Sequence, residues 1–174
     1  IPILALVAVG CSLVILFAPE IIRIMAPGEY YEAIYVVPPI IVGCFFQVHF
    51  SLYANIAYYY KKQKIVMVSS ITAAALNFVL NYLLIPRYGY IAAGYTTMFS
   101  YIVQAVIDYV AMYQGTKHPV YNMRLVILIS AGLIIVMGIA MQIYDYWYVR
   151  YGLMAVILAI VFAKKAKIIQ FVKS

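Results

Sequence analysis

Residues 61–90 read KKQKIVMVSSITAAALNFVLNYLLIPRYGY. Three lysines open the stretch, an apolar run follows, and Pro86, Arg87, Tyr88 and Gly89 close it. About 20 apolar residues in a helix cross the hydrocarbon of a bilayer. In lipid the backbone must satisfy its own hydrogen bonds, and no residue here alternates with period two, so the run is a helix rather than a barrel strand. Yet this greasy segment carries Asn77 and Asn81, four residues apart, and Ser69 and Ala73 continue the same spacing toward the lysines. Residues four apart share a helical face. The stretch therefore predicts a membrane-spanning helix from Ile65 to Ile85 with one polar stripe. Pro86 is expected to stop it, because a proline cannot continue the hydrogen-bond ladder, and Gly89 frees the backbone to turn.

The rest of the chain follows the same grammar. Of 174 residues, 68% are hydrophobic and 10% charged, and the mean hydropathy is +1.01. A soluble domain carries about 25% charged residues, so there is too little polar surface for a soluble globule. The expected fold class is an all-α integral membrane protein with six transmembrane helices. These are Ile1–Phe17, Ala33–Tyr59, Ile65–Ile85, Tyr90–Tyr113, Leu125–Ile143 and Trp147–Ala163. The chain begins with Ile inside an apolar run, which reads as the interior of a longer protein. It has no basic n-region of the kind a signal peptide carries.

The net charge of +7 is a topology signal. Lys61, Lys62, Lys64, Lys117, Arg124, Lys164, Lys165, Lys167 and Lys173 fall on one side of the six-helix map. Only Arg23, Arg87 and Arg150 fall on the other, beside Glu20, Glu29, Glu32 and Asp145. Lys and Arg collect on the cytoplasmic side, which puts the C-terminus in the cytoplasm and argues against a nucleic-acid partner. Tyrosines at both sets of helix ends, such as Tyr58, Tyr59 and Tyr60 at one and Tyr144, Tyr146 and Tyr148 at the other, read as interfacial belts.

Three consecutive helices carry polar stripes. Gly43, Gln47, Ser51 and Asn55 recur every four residues in the second. Ser69, Ala73, Asn77 and Asn81 do so in the third. Gly94, Thr97, Tyr101, Gln104 and Asp108 recur at threes and fours in the fourth. Two readings stand. Small residues let helices approach, and amides bond across the contact at ~0.6 kcal/mol each. Alternatively, Gln47, Ser51, Asn55, Asn77, Asn81, Tyr101 and Gln104 line a cavity for a hydrophilic substrate. Asp108 is the one acid inside a span, and an intramembrane acid is a candidate for ion coupling, with a paired interfacial carboxylate as the other reading. His49, on the face opposite Gln47, reads as a hydrogen-bonded core residue. Pro38 and Pro39 open the second helix. Cys11 and Cys44 read as small buried side chains, not a disulfide or metal pair. The fifth and sixth helices lack such stripes and read as peripheral and lipid-facing. No H-E-x-x-H, G-x-S-x-G or Walker motif is present, so neither catalysis nor a cofactor is expected.

Two passages carry a family resemblance. PEIIRIMAPGEYYEAIYVVPPI (19–40) and YYYKKQKIVMVSSITAAALNFVLNYLLIPRYGYIAAGYTT (58–97) resemble the polysaccharide and O-antigen flippases. These sit within the superfamily that includes multidrug and oligosaccharidyl-lipid exporters. The pattern is a basic loop, a helix with N-x-x-x-N, L-I-P-x-x-G, and then small residues and Thr. It extends over about residues 15–115. The resemblance implies the C-terminal part of a two-lobed transporter of twelve to fourteen helices. Residues 1–114 would be the last four helices of the second lobe, and residues 115–174 two added peripheral helices with a basic cytoplasmic tail. It implies an alternating-access flippase for polyprenyl-pyrophosphate-linked oligosaccharides (repeat units of O-antigen, capsule or exopolysaccharide) in the bacterial inner membrane. Lipid-linked substrate, membrane lipids and polysaccharide polymerase or assembly proteins would be its partners. The family's cationic residues for the pyrophosphate come largely from the first lobe, and no Arg or Lys lies inside the second to fourth spans here. The alternatives are a cation-coupled multidrug exporter of the same fold and a non-transporting envelope-assembly protein.

Overall fold

The computed structural model describes residues 2–163, in which every element is a helix. They are α1 (Pro2–Leu16), α2 (Ala18–Met25), a 3-10 helix (Gly28–Tyr35), α3 (Val37–Tyr59), α4 (Gln63–Tyr88), α5 (Ile91–Thr116), α6 (Met123–Gln142) and α7 (Trp147–Ala163). The basic tail with Lys164, Lys165, Lys167 and Lys173 lies outside the described residues.

All six expected helices are present, with three local differences. The first is the straight part of a bent unit, since α2 continues α1 at 56°. Pro19 causes the break: it has no N–H for the carbonyl of Ile15, and the Glu20 N–H bonds Phe17 instead of Leu16. The second helix starts at Val37 rather than Ala33, because Gly28–Tyr35 winds as a 3-10 turn and Pro38 and Pro39 occupy the first positions of α3. Prolines fit there because those N–H groups have no intrahelical partner. The third helix runs through Pro86 to Tyr88. Its end is set by Gly89, whose φ of 71° is open to glycine and costly for other residues. Near a C-terminus a proline removes one bond without having to end the helix.

Among the described residues, α3, α4 and α6 are each long and apolar enough to cross a membrane, and the α1–α2 pair makes a fourth. Six separate spans are thus more than length and composition establish. At 26 residues, or about 39 Å at 1.5 Å per residue, α5 is long enough. Thr96, Thr97, Ser100, Gln104 and Asp108 lower its hydropathy. α7 is apolar but has 17 residues.

α5 is the centre of the bundle, packed along α3 on one side and α4 on the other. Glycines set the approach to α3. A Cβ on Gly94 would lie 3.0 Å from the Val36 carbonyl and from Pro39, and one on Gly115 would lie 2.7 Å from the Tyr60 Cβ. A second layer is apolar. Leu4, Ile15 and Leu16 of α1 pack with Val42 and Phe45 of α3 and with Leu133 and Met137 of α6. α6 buries Val126, Ser130, Leu133, Met137 and Ala140, at alternating spacings of four and three that make one inward stripe. It therefore faces lipid on one side only. α7 packs on α1.

Candidate functional site

The polar stripes of α3, α4 and α5 converge, but not all of their members meet. A groove of about 440 Å³ lies between the three helices. Gln47 of α3, Asn77 of α4 and Tyr101 and Gln104 of α5 line it, with Phe50, Ser70, Ala73, Ala74, Thr97 and Ser100. No lining side chain is charged. The Tyr101 ring lies over Gly43, where a Cβ would come within 3.2 Å of it. Small residues at Gly43, Ala73 and Ala74 thus make the space that the amides and the phenol border.

Hydrogen bonds within α4 and between α4 and α5 run beside the groove. The Asn77 Nδ2 donates to Thr97 Oγ1 at 3.2 Å, the Asn81 Nδ2 donates to Asn77 Oδ1 at 3.0 Å, and Thr96 Oγ1 donates to Asn81 Oδ1. Two turns further along, Gln104 Nε2 donates to Ser70 Oγ at 3.2 Å, and the Ser70 hydroxyl donates to the Val66 carbonyl. Asn77 and Gln104 therefore hold two helices together and border the groove as well. The Oε1 of Gln47 is buried without a hydrogen-bond partner. A buried acceptor left unmade costs roughly 1–3 kcal/mol.

The other expected site residues separate from this groove. Ser51 borders an adjoining hollow of about 320 Å³ with Cys44, Val48, Gln47 and Tyr101. Asn55 is exposed and lines neither space. Asn81 is turned to Thr96. Asp108 lies one turn below Gln104 on α5, fully buried, with Ser69 Oγ 2.5 Å from its Oδ1. That hydroxyl also lies 2.8 Å from the Val66 carbonyl, and its single proton serves one acceptor at a time. The second oxygen, Oδ2, is buried with no partner. Ala54, Ala57, Val66 and Ala111 form a small apolar cluster between α3, α4 and α5.

Sequence reasoning missed a second polar cluster, at the break between α1 and α2. Arg150 of α7 is 1% exposed. Its NH1 and NH2 donate to the two Glu20 oxygens at 2.7 and 2.8 Å. NH1 also donates to the Leu16 carbonyl at 3.0 Å. The Tyr144 hydroxyl donates to the Ile15 carbonyl at 3.0 Å, and Tyr151 donates to Glu20. Burial pushes the Tyr144 phenol up, so it stays a donor. The two carbonyls orphaned by Pro19 are thus satisfied by side chains from the end of the chain. The signal was present: Arg150 is a charge four residues into an apolar helix, and such a charge needs a partner. His49 is a core residue as expected, its Nδ1 3.2 Å from the Phe45 carbonyl and its Nε2 3.4 Å from Ser130 Oγ. Among the described residues no group of three His, Cys, Asp or Glu could hold a metal ion.

Comparison with known proteins adds the family. The model of a family described as "PelG: Putative exopolysaccharide Exporter (EPS-E)" matches residues 2–124. The match takes in α1 to α5 and stops at the first residues of α6. No curated protein and no solved structure matches the chain. The match agrees with the expected polysaccharide exporter but not with the narrower O-antigen flippase assignment. With its long apolar helices and a family match over most of its length, the chain is a membrane protein and belongs to this exopolysaccharide exporter family.

Proposed function

We propose that the groove between α3, α4 and α5 takes the uncharged sugars of an exopolysaccharide on their way across the bacterial inner membrane. The observation that carries this reading is an uncharged lining of amides, hydroxyls and one phenol, with the buried Gln47 Oε1 left unpartnered. Amides offer both donors and acceptors, and hydroxyls offer either, which matches the alternating hydroxyl pattern of a sugar. Tyr101 and Phe50 supply flat apolar faces for the C–H side of a ring. No cation lines the groove to meet a pyrophosphate. A polyprenyl-pyrophosphate carrier would meet its charge partner elsewhere in the transporter, while alternating access moves the sugars from one side to the other. The basic residues between helices put Lys61, Lys117 and Arg124 in the cytoplasm.

Asp108 favours a cation-coupled cycle. Its Oδ2 is buried without a partner one turn from Gln104, so protonation or cation binding there would reach the groove through the same helix face. A drug exporter of this fold, or an envelope-assembly protein that moves nothing, fits the groove less well. The first calls for a more apolar cavity and the second for none.

Export in cells lacking the native protein tests the reading. Gln47→Leu and Gln104→Leu are expected to lower surface exopolysaccharide at least tenfold at normal protein levels. Asn55→Leu, which lines nothing, is expected to leave it unchanged. Full export by the Gln47→Leu/Gln104→Leu double variant would remove the groove from the pathway.

A further inference from the structure

On the face of α3 opposite the polar groove, α5 and α6 diverge. Their outer parts touch, with the Tyr95 hydroxyl 3.8 Å from the Met141 sulfur. Toward the lysine-rich end they part, leaving a cleft of about 300 Å³. Phe46, His49 and Tyr53 of α3 form its floor, and Val106 of α5 faces Ile127 and Ala131 of α6 across it. The polar atoms of His49 and Ser130 in this wall are used internally. His49 bonds the Phe45 carbonyl and Ser130, and Ser130 bonds the Val126 carbonyl at 2.9 Å. Inside, the cleft offers an occupant only apolar surface.

Its length and its mouth say what that occupant is. The α6 wall runs from Met123 to Ile134. Eleven steps of 1.5 Å give about 16 Å, half of a ~30 Å hydrocarbon core and so one leaflet. At the mouth the rings of Tyr53, Tyr109 and Tyr121 cluster at 5.8 and 6.0 Å. Exposed Lys117, on the α5–α6 connection, and exposed Arg124, in the first turn of α6, flank the mouth, and the connection contains no acid. The one salt bridge among the described residues, Arg150–Glu20, is at the far end of the bundle.

We propose that this cleft binds one acyl chain of an anionic phospholipid from the leaflet facing the lysine-rich end. Lys117 and Arg124 meet the phosphate, and the chain fills the wedge between α5 and α6. Anionic lipids of the cytoplasmic leaflet are attracted to basic residues next to spans. The charge and the leaflet-long apolar slot therefore select the same molecule. The bound lipid would seal α6 against α3 on the side away from the groove.

Native mass spectrometry of the full-length protein in mild detergent tests this, with phosphatidylglycerol and phosphatidylethanolamine added at equal concentration. The expected result is about thirtyfold preferential retention of phosphatidylglycerol, the effect of two basic contacts. Lys117→Gln/Arg124→Gln, which changes only exposed side chains, is expected to abolish the preference. Ala131→Trp, which fills the slot, is expected to remove the tightly held lipid of either kind. Equal retention of both lipids by the unaltered protein would overturn the proposal. So would unchanged retention in Ala131→Trp. If undecaprenyl phosphate displaced phosphatidylglycerol from the slot, the cleft would belong to a polyprenyl carrier and the proposal would fail.

Discussion

Two clusters of buried polar groups, one at the α1–α2 break and one midway along α3, α4 and α5, are finished to different degrees. At the α1–α2 break, Arg150, Glu20, Tyr144 and Tyr151 close on one another and on two backbone carbonyls, with only the Arg150 Nε left over. Around the groove, the amide of Asn77 and that of Asn81 one turn away are bonded, but Gln47 Oε1 and the Asp108 Oδ2 one turn below Gln104 are not. A polar network that is satisfied within the protein holds a fold. One that leaves acceptors buried and unbonded beside a 440 Å³ space keeps capacity for something that arrives later. The first cluster is a clasp for a proline break, and the second is the binding surface proposed above.

Substitutions that separate stability from transport will break or sharpen this contrast. The largest effect on stability is expected at Arg150. Arg150→Leu leaves Glu20 without its cation and the Leu16 carbonyl without a donor, a loss of roughly 3–5 kcal/mol. Thermal unfolding in detergent should show little folded protein left, and Tyr144→Phe should cost about 1–3 kcal/mol through the Ile15 carbonyl. Near-normal stability of Arg150→Leu would mean the clasp is not structural. Next come the glycines of the α3–α5 seam. Gly115→Ala drives a Cβ into Tyr60 and should cost about 1–3 kcal/mol as an overpacked contact. Gly10→Ala, with nothing within 4 Å of the added atom, should be neutral in the same melt.

The stripe of α4 predicts a smaller effect. Asn77→Leu/Asn81→Leu should lower stability by about 1 kcal/mol, two interhelical bonds at ~0.6 each, with insertion intact. Export should fall with Asn77→Leu, which borders the groove, more than with Asn81→Leu, which does not. The smallest change in stability belongs to Gln47→Leu. Replacing a buried unbonded acceptor by an apolar group is nearly neutral or stabilising, so the melt should not fall while export does.

How much of this was legible depends on what each signal rests on. Helix positions were, because a bilayer demands long apolar runs and the runs are plain. The groove was legible as a set of faces, since Gln47, Asn77, Tyr101 and Gln104 stand out against apolar neighbours at helical spacing. Which member of a stripe points at a neighbour and which at open space was not. Asn55 and Asn81 share the period of Gln47 and Asn77, but Asn55 is exposed and Asn81 bonds α5 without lining the groove. The inward stripe of α6 was invisible because its buried and lipid-facing residues are equally apolar. The α1–α2 bend needed Pro19 to be weighed with Glu20 and Arg150, which are 130 residues apart in sequence. Pro86 misled because a proline one turn from a helix end removes a bond without stopping the helix.

The central claim is that the groove is a water-filled path for sugars and not a packed contact. In a Cys11→Ser/Cys44→Ser background, single cysteines at Gln47, Asn77 and Gln104 should react with a membrane-impermeant thiol reagent in everted vesicles or intact cells. They should be protected when exopolysaccharide synthesis is running, while a cysteine at Leu133, in the apolar layer, should stay unreactive under both conditions. Groove positions as inert as Leu133 would contradict the account.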